Sequence, residues 1–427
     1  VRISFNDGDF RSLEGFRQRI DEILAFNKRY LSVAYAEGSQ NSSGAFRRLI
    51  EETYSTYTQK VVVLVDEYDK PILDNIENPE VALVMREELK TFYSVIKGCD
   101  EYIKFVFLTG VSKFSKVSLF SGLNNLEDIT LNPRFATIAG YRQVDLETSF
   151  ADYLEGQDYA QIRRWYNGYR WLGEAVYNPF DILLFISNGY IFDNYWFSTG
   201  TPSFLLKLIE KNKYYIPNFE NIVKNRSILD SFDVHSIDLE TLMWQTGYLT
   251  ITEARQTPAG MLYQLSIPNQ EVQIALMGSI VDAIARPERG VQIRSLLYTA
   301  LERGDMEEFK AQIKALYASI PHHVFTKNPM HEKEGYYVSV FYAFMKGLGV
   351  DVRAEDVTNK GRIDLTVMLP SAIYIIEFKV DEGGALEQIK GKGYAEKYQG
   401  QGRVVYLVGI EFDTNMRNIS RFAWENA

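Results

Sequence analysis

The sequence predicts a multidomain α/β protein, and three observations support this class. The chain has 427 residues, more than a single hydrophobic core normally holds, so roughly two to four domains are expected. The runs "VVVLV" and "IKFVFL" are almost entirely apolar and are separated by helical patterns, which is typical of parallel strands buried on both faces. The C-terminal part returns to alternating helix and strand after a mainly helical middle.

Composition limits the classes of function. Apolar residues make up 46% and charged residues 24%, which is typical of a globular protein. No apolar run approaches the roughly 18 to 20 residues that cross a bilayer, and "VRISFNDGDF" is not a signal peptide, so we expect a cytoplasmic protein without a membrane partner. Because the chain starts at Val1 within an apparent strand, we also expect further sequence before it.

Charge and cysteine content narrow the expected partners and metals. The 46 basic and 56 acidic residues give a net charge of -10, which argues against non-specific coating of nucleic acid and leaves a local basic groove as the expected contact. The single Cys99 excludes an internal disulfide and a cysteine zinc site, and the four histidines are scattered. Any metal is therefore expected to have oxygen ligands.

The N-terminal strands end in residues that suit phosphate chemistry. Asp66 and Glu67 directly follow "VVVLV", at the carboxyl end of a strand where open α/β sheets bind ligands. One acid in this place can hold Mg²⁺ and the next can orient a water, while Thr109 and Ser112 after the neighbouring strand could sense a γ-phosphate. The alternative is a strand end with solvated acids. The printed sequence contains no G-x-x-x-x-G-K-[ST] loop, so the phosphate cradle is missing.

The middle of the chain is predicted to be helical and rich in aromatic residues. Its landmarks "WYNGYRW" and "YWFSTGTPSF" could stack on bases, but core packing is the favoured interpretation. Residues 241–270 are expected to form a helix followed by a hairpin that turns at "TPAG", which is a winged-helix-like pattern.

The stretch "GRIDLTVMLPSAIYIIEFKV" predicts a hairpin with two opposed carboxylates. Pro370 excludes a two-residue loop of type I′ or II′ and favours a four-residue turn over residues 369–372. That turn sets Asp364 opposite Glu377, with β-carbons roughly 5 Å apart. Two such carboxylates with waters and a carbonyl suit Mg²⁺ or Mn²⁺, and Lys379 would activate a water or stabilise a phosphate. The alternative is a structural ion pair in which Lys379 neutralises both acids.

The flanking helices supply further candidates. Glu334 starts a helix on its buried side, where an unpaired carboxylate would be costly. After the hairpin, the amphipathic segment "ALEQIKGKGYAEKY" offers Gln388 and Tyr394.

These motifs together resemble the bacterial AAA-ATPase-like proteins with a C-terminal PD-(D/E)XK nuclease-superfamily domain. The landmarks are "VVVLVDEYDKPI", "FLTGVSKFS", "WYNGY", "YNPF", "YWFSTGTPSFL", "QTGYLTI", "GRIDL", "IIEFKV" and "YLVGIEFD". The resemblance implies a P-loop-type parallel sheet core that is incomplete here, over residues 1–145, a helical lid and winged-helix-like region over 146–285, and a nuclease-like domain over 286–427.

The resemblance also implies roles for the candidate residues. Asp66 and Glu67 would be the Walker B acids, Asp364 and Glu377 metal ligands, and Lys379 the catalytic lysine. Helix acid Glu334 and accessory residues Gln388 and Tyr394 complete the implied site. The expected function is ATPase-coupled, metal-dependent nuclease action on nucleic acid, with DNA as the expected substrate and ATP expected only for the full-length protein. The alternative is a nucleotide-switched regulatory protein whose nuclease-like domain is not catalytic.

Overall fold

The structure is a computed structural model, and it describes residues 1–34, 41–111, 123, 125–197, 203–212, 214–226, 238–285, 290–321 and 334–427. The chain forms two compact units, one of residues 1–136 with 223–264 and the other of residues 137–222 with 265–427. The predicted three-domain division at residues 145 and 285 stays a prediction, because compactness alone does not define a domain.

The first unit contains a three-stranded parallel sheet of order β1-β2-β3. Its elements are β1 (Arg2–Ser4), α1 (Leu13–Tyr30), α2 (Ser42–Tyr57), β2 (Val61–Asp66), α3 (Lys70–Leu73), α4 (Pro79–Gly98) and β3 (Ile103–Leu108). The two apolar runs form β2 and β3 with helices between them, as predicted, whereas the short helix α3 was not predicted. Ser12, Asn41 and Asn78 cap α1, α2 and α4 by accepting backbone amides, which satisfies donors that a helix start leaves unpaired.

Helices cover one face of this sheet in the part of the chain that the structure describes. Val63 and Val65 are buried, and Phe46 of α2 stacks on Phe92 of α4 with ring centroids 4.7 Å apart. On the opposite face Leu64 is 43% and Phe105 is 55% exposed. The expectation of a strand buried on both faces is therefore wrong for the described residues, because an apolar run shows which side chains avoid water but not whether a cover is present.

The first unit also holds the predicted helix and hairpin. Helix α9 (Leu239–Gln245) precedes β5 (Thr250–Thr257) and β6 (Gly260–Ser266), and β4 (Ile222–Asn225) completes a sheet of order β4-β6-β5. The hairpin turns where expected, since the Thr257 hydroxyl donates to the Gly260 carbonyl at 2.7 Å. This confirms the helix and the hairpin, and the winged-helix assignment stays a prediction.

The second unit begins with short helices around an aromatic cluster. These are α5 (Gln143–Thr148), α6 (Tyr159–Tyr166), α7 (Pro179–Ser187) and α8 (Ser203–Asn212). Tyr166 is fully buried with Phe185 and Tyr195, so the core-packing interpretation of "WYNGY" is confirmed. Gly168 has φ +127°, and a β-carbon there would lie 2.0 Å from the Pro268 carbonyl oxygen, so this position requires glycine. Of "YWFSTGTPSF", residues 198–202 lie outside the described residues.

The rest of this unit is a five-stranded sheet of order β11-β10-β9-β8-β7, preceded by helices. The elements are α10 (Gln270–Ile284), α11 (Gly290–Arg303), α12 (Met306–Ala318), α13 (Glu334–Lys346), β7 (Asp351–Thr358), β8 (Gly361–Met368), β9 (Ala372–Val380), α14 (Ala385–Lys392), β10 (Val404–Asp413) and β11 (Asn418–Asn426). Strands β9 and β10 are parallel and the other neighbours are antiparallel.

Both faces of the C-terminal sheet are covered. On one face Phe378 packs against Phe341 of α13, with ring centroids 5.3 Å apart. On the other, Ile375 packs against Ile389 of α14 and against Tyr394. This double cover leaves little water around polar groups in the middle of the sheet. Among the described helices, none has the length and apolar character needed to cross a membrane.

Candidate functional site

The hairpin of β8 and β9 has the predicted register. Leu365 pairs with Ile376, and the reversal closes where the Leu369 amide donates to the Ala372 carbonyl at 2.8 Å. The regular backbone pairing ends at Leu365 and Ile376, one residue short of Asp364 and Glu377. The side chains of these two acids bond to backbone amides of the opposite strand instead. The Asp364 carboxylate accepts the Phe378 amide at 2.8 Å, and the Glu377 carboxylate accepts the Asp364 amide at 3.4 Å. The two acids are therefore brought together across the strands.

Burial leaves these two carboxylates electrostatically strained. Glu377 is only 1% exposed, and burial followed by the charge of Asp364 raises its pKa to about 8. Burial also raises the pKa of Asp364 to about 6, although the Phe378 amide acts in the opposite direction. Burial therefore disfavours the charged form of both neighbouring acids. A cation bound between them would stabilise their ionised forms.

Lys379 and Glu334 belong to the same constellation. Lys379 lies two residues beyond Glu377 in β9 and so on the same face of the strand, and its charge partly offsets the burial that raises the pKa values of Asp364, Glu377 and Glu334. Glu334, at the start of α13, is half-buried, and burial raises its pKa. The role of Glu334 at the site stays a prediction, and α13 is buried on all sides from Tyr336 onward rather than along one stripe.

Gln388 and Tyr394 are both brought to the site, and their side chains have different hydrogen-bond partners. The Gln388 side-chain amide in α14 donates a hydrogen bond to the Glu377 carboxylate. The Tyr394 hydroxyl instead donates to the Arg362 backbone carbonyl at 3.0 Å. Gly361 has φ +154°, and a β-carbon there would lie 2.8 Å from the Tyr394 hydroxyl oxygen. In this structure Tyr394 fixes the start of β8.

A second group of residues borders this site and was missed by the sequence reasoning. Glu355 of β7 and Arg362 of β8 form an ion pair, and the Tyr215 hydroxyl donates to Glu355 at 3.3 Å. The β7–β8 register sets Glu355 across from Asp364, between the pairs Ala354–Leu365 and Asp356–Ile363, so it borders the paired acids. Arg362 lies in the motif "GRIDL", and its place two residues before Asp364, on the same face of a strand, was a signal that the sequence offered. Tyr215 is 140 residues from Glu355 and had no such signal.

The N-terminal site brings Asp66 and Thr109 together. The Thr109 hydroxyl donates to Asp66 Oδ1 at 2.7 Å, and the Thr109 amide donates to the Val65 carbonyl at 2.8 Å. Glu67 has the left-handed φ of +53°, and burial raises its pKa. A cavity of about 250 Å³ adjoins Asp66 and Thr109. Ser112 lies outside the described residues.

Asp69 is a further buried acid beside this site. It is fully buried, and its carboxylate accepts the Val111 amide at 3.2 Å. The Tyr68 amide donates to the Thr109 carbonyl at 3.0 Å, so the segments after β2 and β3 are tied to each other twice. The triple-acid pattern "DEYD" was the available signal for this residue.

Comparisons with known proteins match both segments of the chain that contain these residues. Residues 1–120 match a family model described as a predicted AAA-ATPase, and residues 332–422 match the PD-(D/E)XK nuclease superfamily. A protein of Azotobacter chroococcum mcd 1, described as an uncharacterized protein in the vnfD 5′ region, is 43% identical over 431 residues. The match covers all of this chain and 83% of that protein. The chain belongs to this AAA-ATPase-like, PD-(D/E)XK family. No solved structure matches it.

The two matched segments contain the two groups of candidate residues. The AAA-ATPase-like segment includes Asp66, Glu67 and Thr109, and the nuclease-superfamily segment includes the hairpin acids with Lys379. No group of three or more histidine, cysteine, aspartate and glutamate side chains arranged for a metal ion occurs among the residues that the structure describes.

Proposed function

We propose that this protein hydrolyses phosphodiester bonds of nucleic acid, with DNA as the substrate, by a metal-dependent reaction in its nuclease-superfamily domain. The observation that carries the proposal is the meeting of Asp364 and Glu377 at the end of the β8–β9 pairing, with Lys379 two residues beyond Glu377 on the same strand. A purely structural hairpin has no reason to hold two acids where burial opposes the charge of each.

The donor chemistry of the site fits Mg²⁺ or Mn²⁺. Both side chains offer carboxylate oxygens, the ligands that hard divalent cations prefer. The raised pKa values of Asp364 and Glu377 mean that a bound cation would favour the ionised form of each. When bound, such an ion polarises a phosphoryl oxygen and increases the acidity of a water.

The surrounding residues have distinct tasks in this proposal. Lys379 orients the attacking water and stabilises negative charge that develops on the phosphate. Gln388 holds the Glu377 carboxylate by its side-chain amide. Glu334, whose pKa is raised by burial, would accept a proton at the edge of the site.

We further propose that the AAA-ATPase-like domain couples nucleotide hydrolysis to this activity. Asp66 would hold Mg²⁺ with the nucleotide, Glu67 would orient water, and Thr109 fixes the Asp66 carboxylate by its hydroxyl. ATP binding requires a phosphate loop that the printed sequence lacks, so ATP belongs to this proposal only for a protein that carries such a loop.

Cleavage assays test the nuclease proposal. Purified protein is incubated with linear, circular and single-stranded DNA and with RNA, with and without Mg²⁺ or Mn²⁺. We expect metal-dependent cleavage that Lys379→Ala abolishes. The matched control is Lys390→Ala, because Lys390 is an exposed lysine of the same domain that pairs with Glu425 at 2.9 Å. Cleavage that survives Lys379→Ala, or no cleavage of any substrate, would refute the proposal.

A non-catalytic regulatory function is the second candidate. It is favoured by the net charge of -10 and by the pairing of basic side chains near the site with acids, as in Lys360–Glu396 at 2.6 Å. A protein of this kind would bind nucleotide but show no metal heat at the hairpin in calorimetry. The nuclease predicts such heat and its loss in Asp364→Asn.

A further inference from the structure

Glu355 has a backbone conformation that ordinary strand residues avoid. Its φ is +53°, in the left-handed region, although it lies in the middle of β7. Its neighbours Ala354 and Asp356 pair normally with Leu365 and Ile363, so the pairing register continues on both sides. A non-glycine residue held in this conformation costs on the order of 1 kcal/mol or more, and such residues cluster at functional sites. The surrounding ladder fixes Glu355 despite that cost.

Both oxygens of the Glu355 carboxylate have partners. Oε1 accepts the hydroxyl of Tyr215 at 3.3 Å, and Oε2 forms an ion pair with Nε of Arg362. The carboxylate is thus engaged from two sides, by one residue from outside the sheet and one from β8. Both carboxylate oxygens are thus used to position Arg362 and Tyr215, and neither is left as a ligand for a metal.

Arg362 is held by one edge of its guanidinium only. The Arg362 side chain is 65% exposed. Among the described residues, its ion pair with Glu355 uses Nε and leaves the two terminal nitrogens available. Arg362 lies two residues before Asp364 in β8 and so on the same face of the strand, and the β7–β8 register sets Glu355 across from Asp364, which brings the exposed fork beside the paired acids. The Arg362 backbone is also fixed, because Tyr394 donates to its carbonyl.

We propose that Arg362 binds a backbone phosphate of the nucleic acid next to the bond that is cut, with Glu355 as the residue that positions it. The inference rests on the proposed nuclease function. A guanidinium presents two parallel N–H donors that match two phosphate oxygens, and it keeps its charge at every relevant pH. Beside Lys379 the site presents the acids Asp364, Glu377 and Glu334 to a polyanion, and Arg362 adds an exposed positive charge where the substrate would approach.

The test is the salt dependence of binding, which does not require hydrolysis. Labelled duplex and single-stranded oligonucleotides are titrated with the protein in chelator, and the association constant is measured by anisotropy over a range of salt. Arg362→Ala is expected to bind about tenfold or more weakly, since charged hydrogen bonds are lost. The slope of log K against log salt should become shallower by about 0.9 for duplex DNA and by about 0.7 for a single strand.

Two further variants separate the effect of charge from that of the guanidinium geometry and of its position. Arg362→Lys keeps the charge but not the fork, so it should retain the slope of the parent protein and recover only part of the affinity. Arg421→Ala is the matched control, because Arg421 is 53% exposed, pairs with Glu387 at 3.4 Å and lies in β11 at the opposite edge of the sheet. It should change neither the affinity nor the slope. Circular dichroism confirms that each variant is folded.

The outcomes separate this inference from the nuclease proposal. Equal affinity and slope for Arg362→Ala and the parent protein, or no binding of oligonucleotide by the parent protein, would overturn the inference. Metal-dependent cleavage without an Arg362 effect on binding would refute the inference and leave the nuclease standing. Binding that depends on Arg362 without any cleavage would support the inference and refute the nuclease proposal.

Discussion

Glu271→Gln should stabilise the protein increasingly as the pH rises. Glu271 in α10 is fully buried with Asp181 of α7, and its Oε1 accepts the Trp196 amide at 2.8 Å. Burial, and then Asp181, raises the pKa of Glu271 from 4.5 to about 9, so at neutral pH the native chain holds a proton that the unfolded chain has released. Glutamine keeps the oxygen that accepts the Trp196 amide and can donate to Asp181, but it never ionises.

The magnitude follows from proton linkage. A raised carboxyl pKa favours the folded state below the unfolded value, and that advantage is lost as the pH rises through the folded value. One extra proton in the native state changes stability by about 1.4 kcal/mol per pH unit. The parent protein should therefore lose about 2 kcal/mol more than Glu271→Gln between roughly pH 7 and pH 8.5, and the difference should level off above about pH 9.

Urea unfolding at several pH values measures this difference directly. The control is Glu80→Gln, because Glu80 is likewise the second residue of its helix, α4, but is exposed. Folding does not bury this side chain, so its substitution should give no trend with pH. A constant difference between Glu271→Gln and the parent protein across this range would refute the account of the buried pair.

Three other substitutions test separate contacts. Tyr374→Phe removes the hydroxyl that donates to the buried Leu301 carbonyl at 2.6 Å, and it should lower the free energy of unfolding by about 1 to 2 kcal/mol in urea titrations, whereas an unchanged midpoint would contradict that contact. Thr109→Val should cost about 1 kcal/mol by removing the hydrogen bond to Asp66, and Thr109→Ser should restore most of it. Asp364→Asn should abolish the heat of Mn²⁺ binding in calorimetry, and heat equal to that of the parent protein would place the metal elsewhere.

The register of the site hairpin could be predicted from sequence because local rules determine it. Pro370 restricts the turn, and alternation then leaves a single register that puts Leu365 against Ile376. Strands β2 and β3 of the N-terminal sheet were equally accessible. The exposure of one face of this sheet could not be predicted, since the run that contains Leu64 is apolar whether or not other elements cover it.

Contacts between distant segments could not be predicted in this way. Tyr215 reaches Glu355 across 140 residues, and Glu271 meets Asp181 from a separate helix. Neither pair has a spacing that marks it, because tertiary packing alone brings the partners together. The left-handed conformation of Glu355 was also hidden, since glycine or asparagine would normally indicate such a position.

The most direct test of the central claim is a crystal structure of the protein grown with Mn²⁺. The account predicts an anomalous difference peak between the carboxylates of Asp364 and Glu377, with water completing the coordination. The absence of a peak there, with the Lys379 ammonium bonded to both carboxylates instead, would contradict it. The hairpin would then be a structural ion pair and not a catalytic centre.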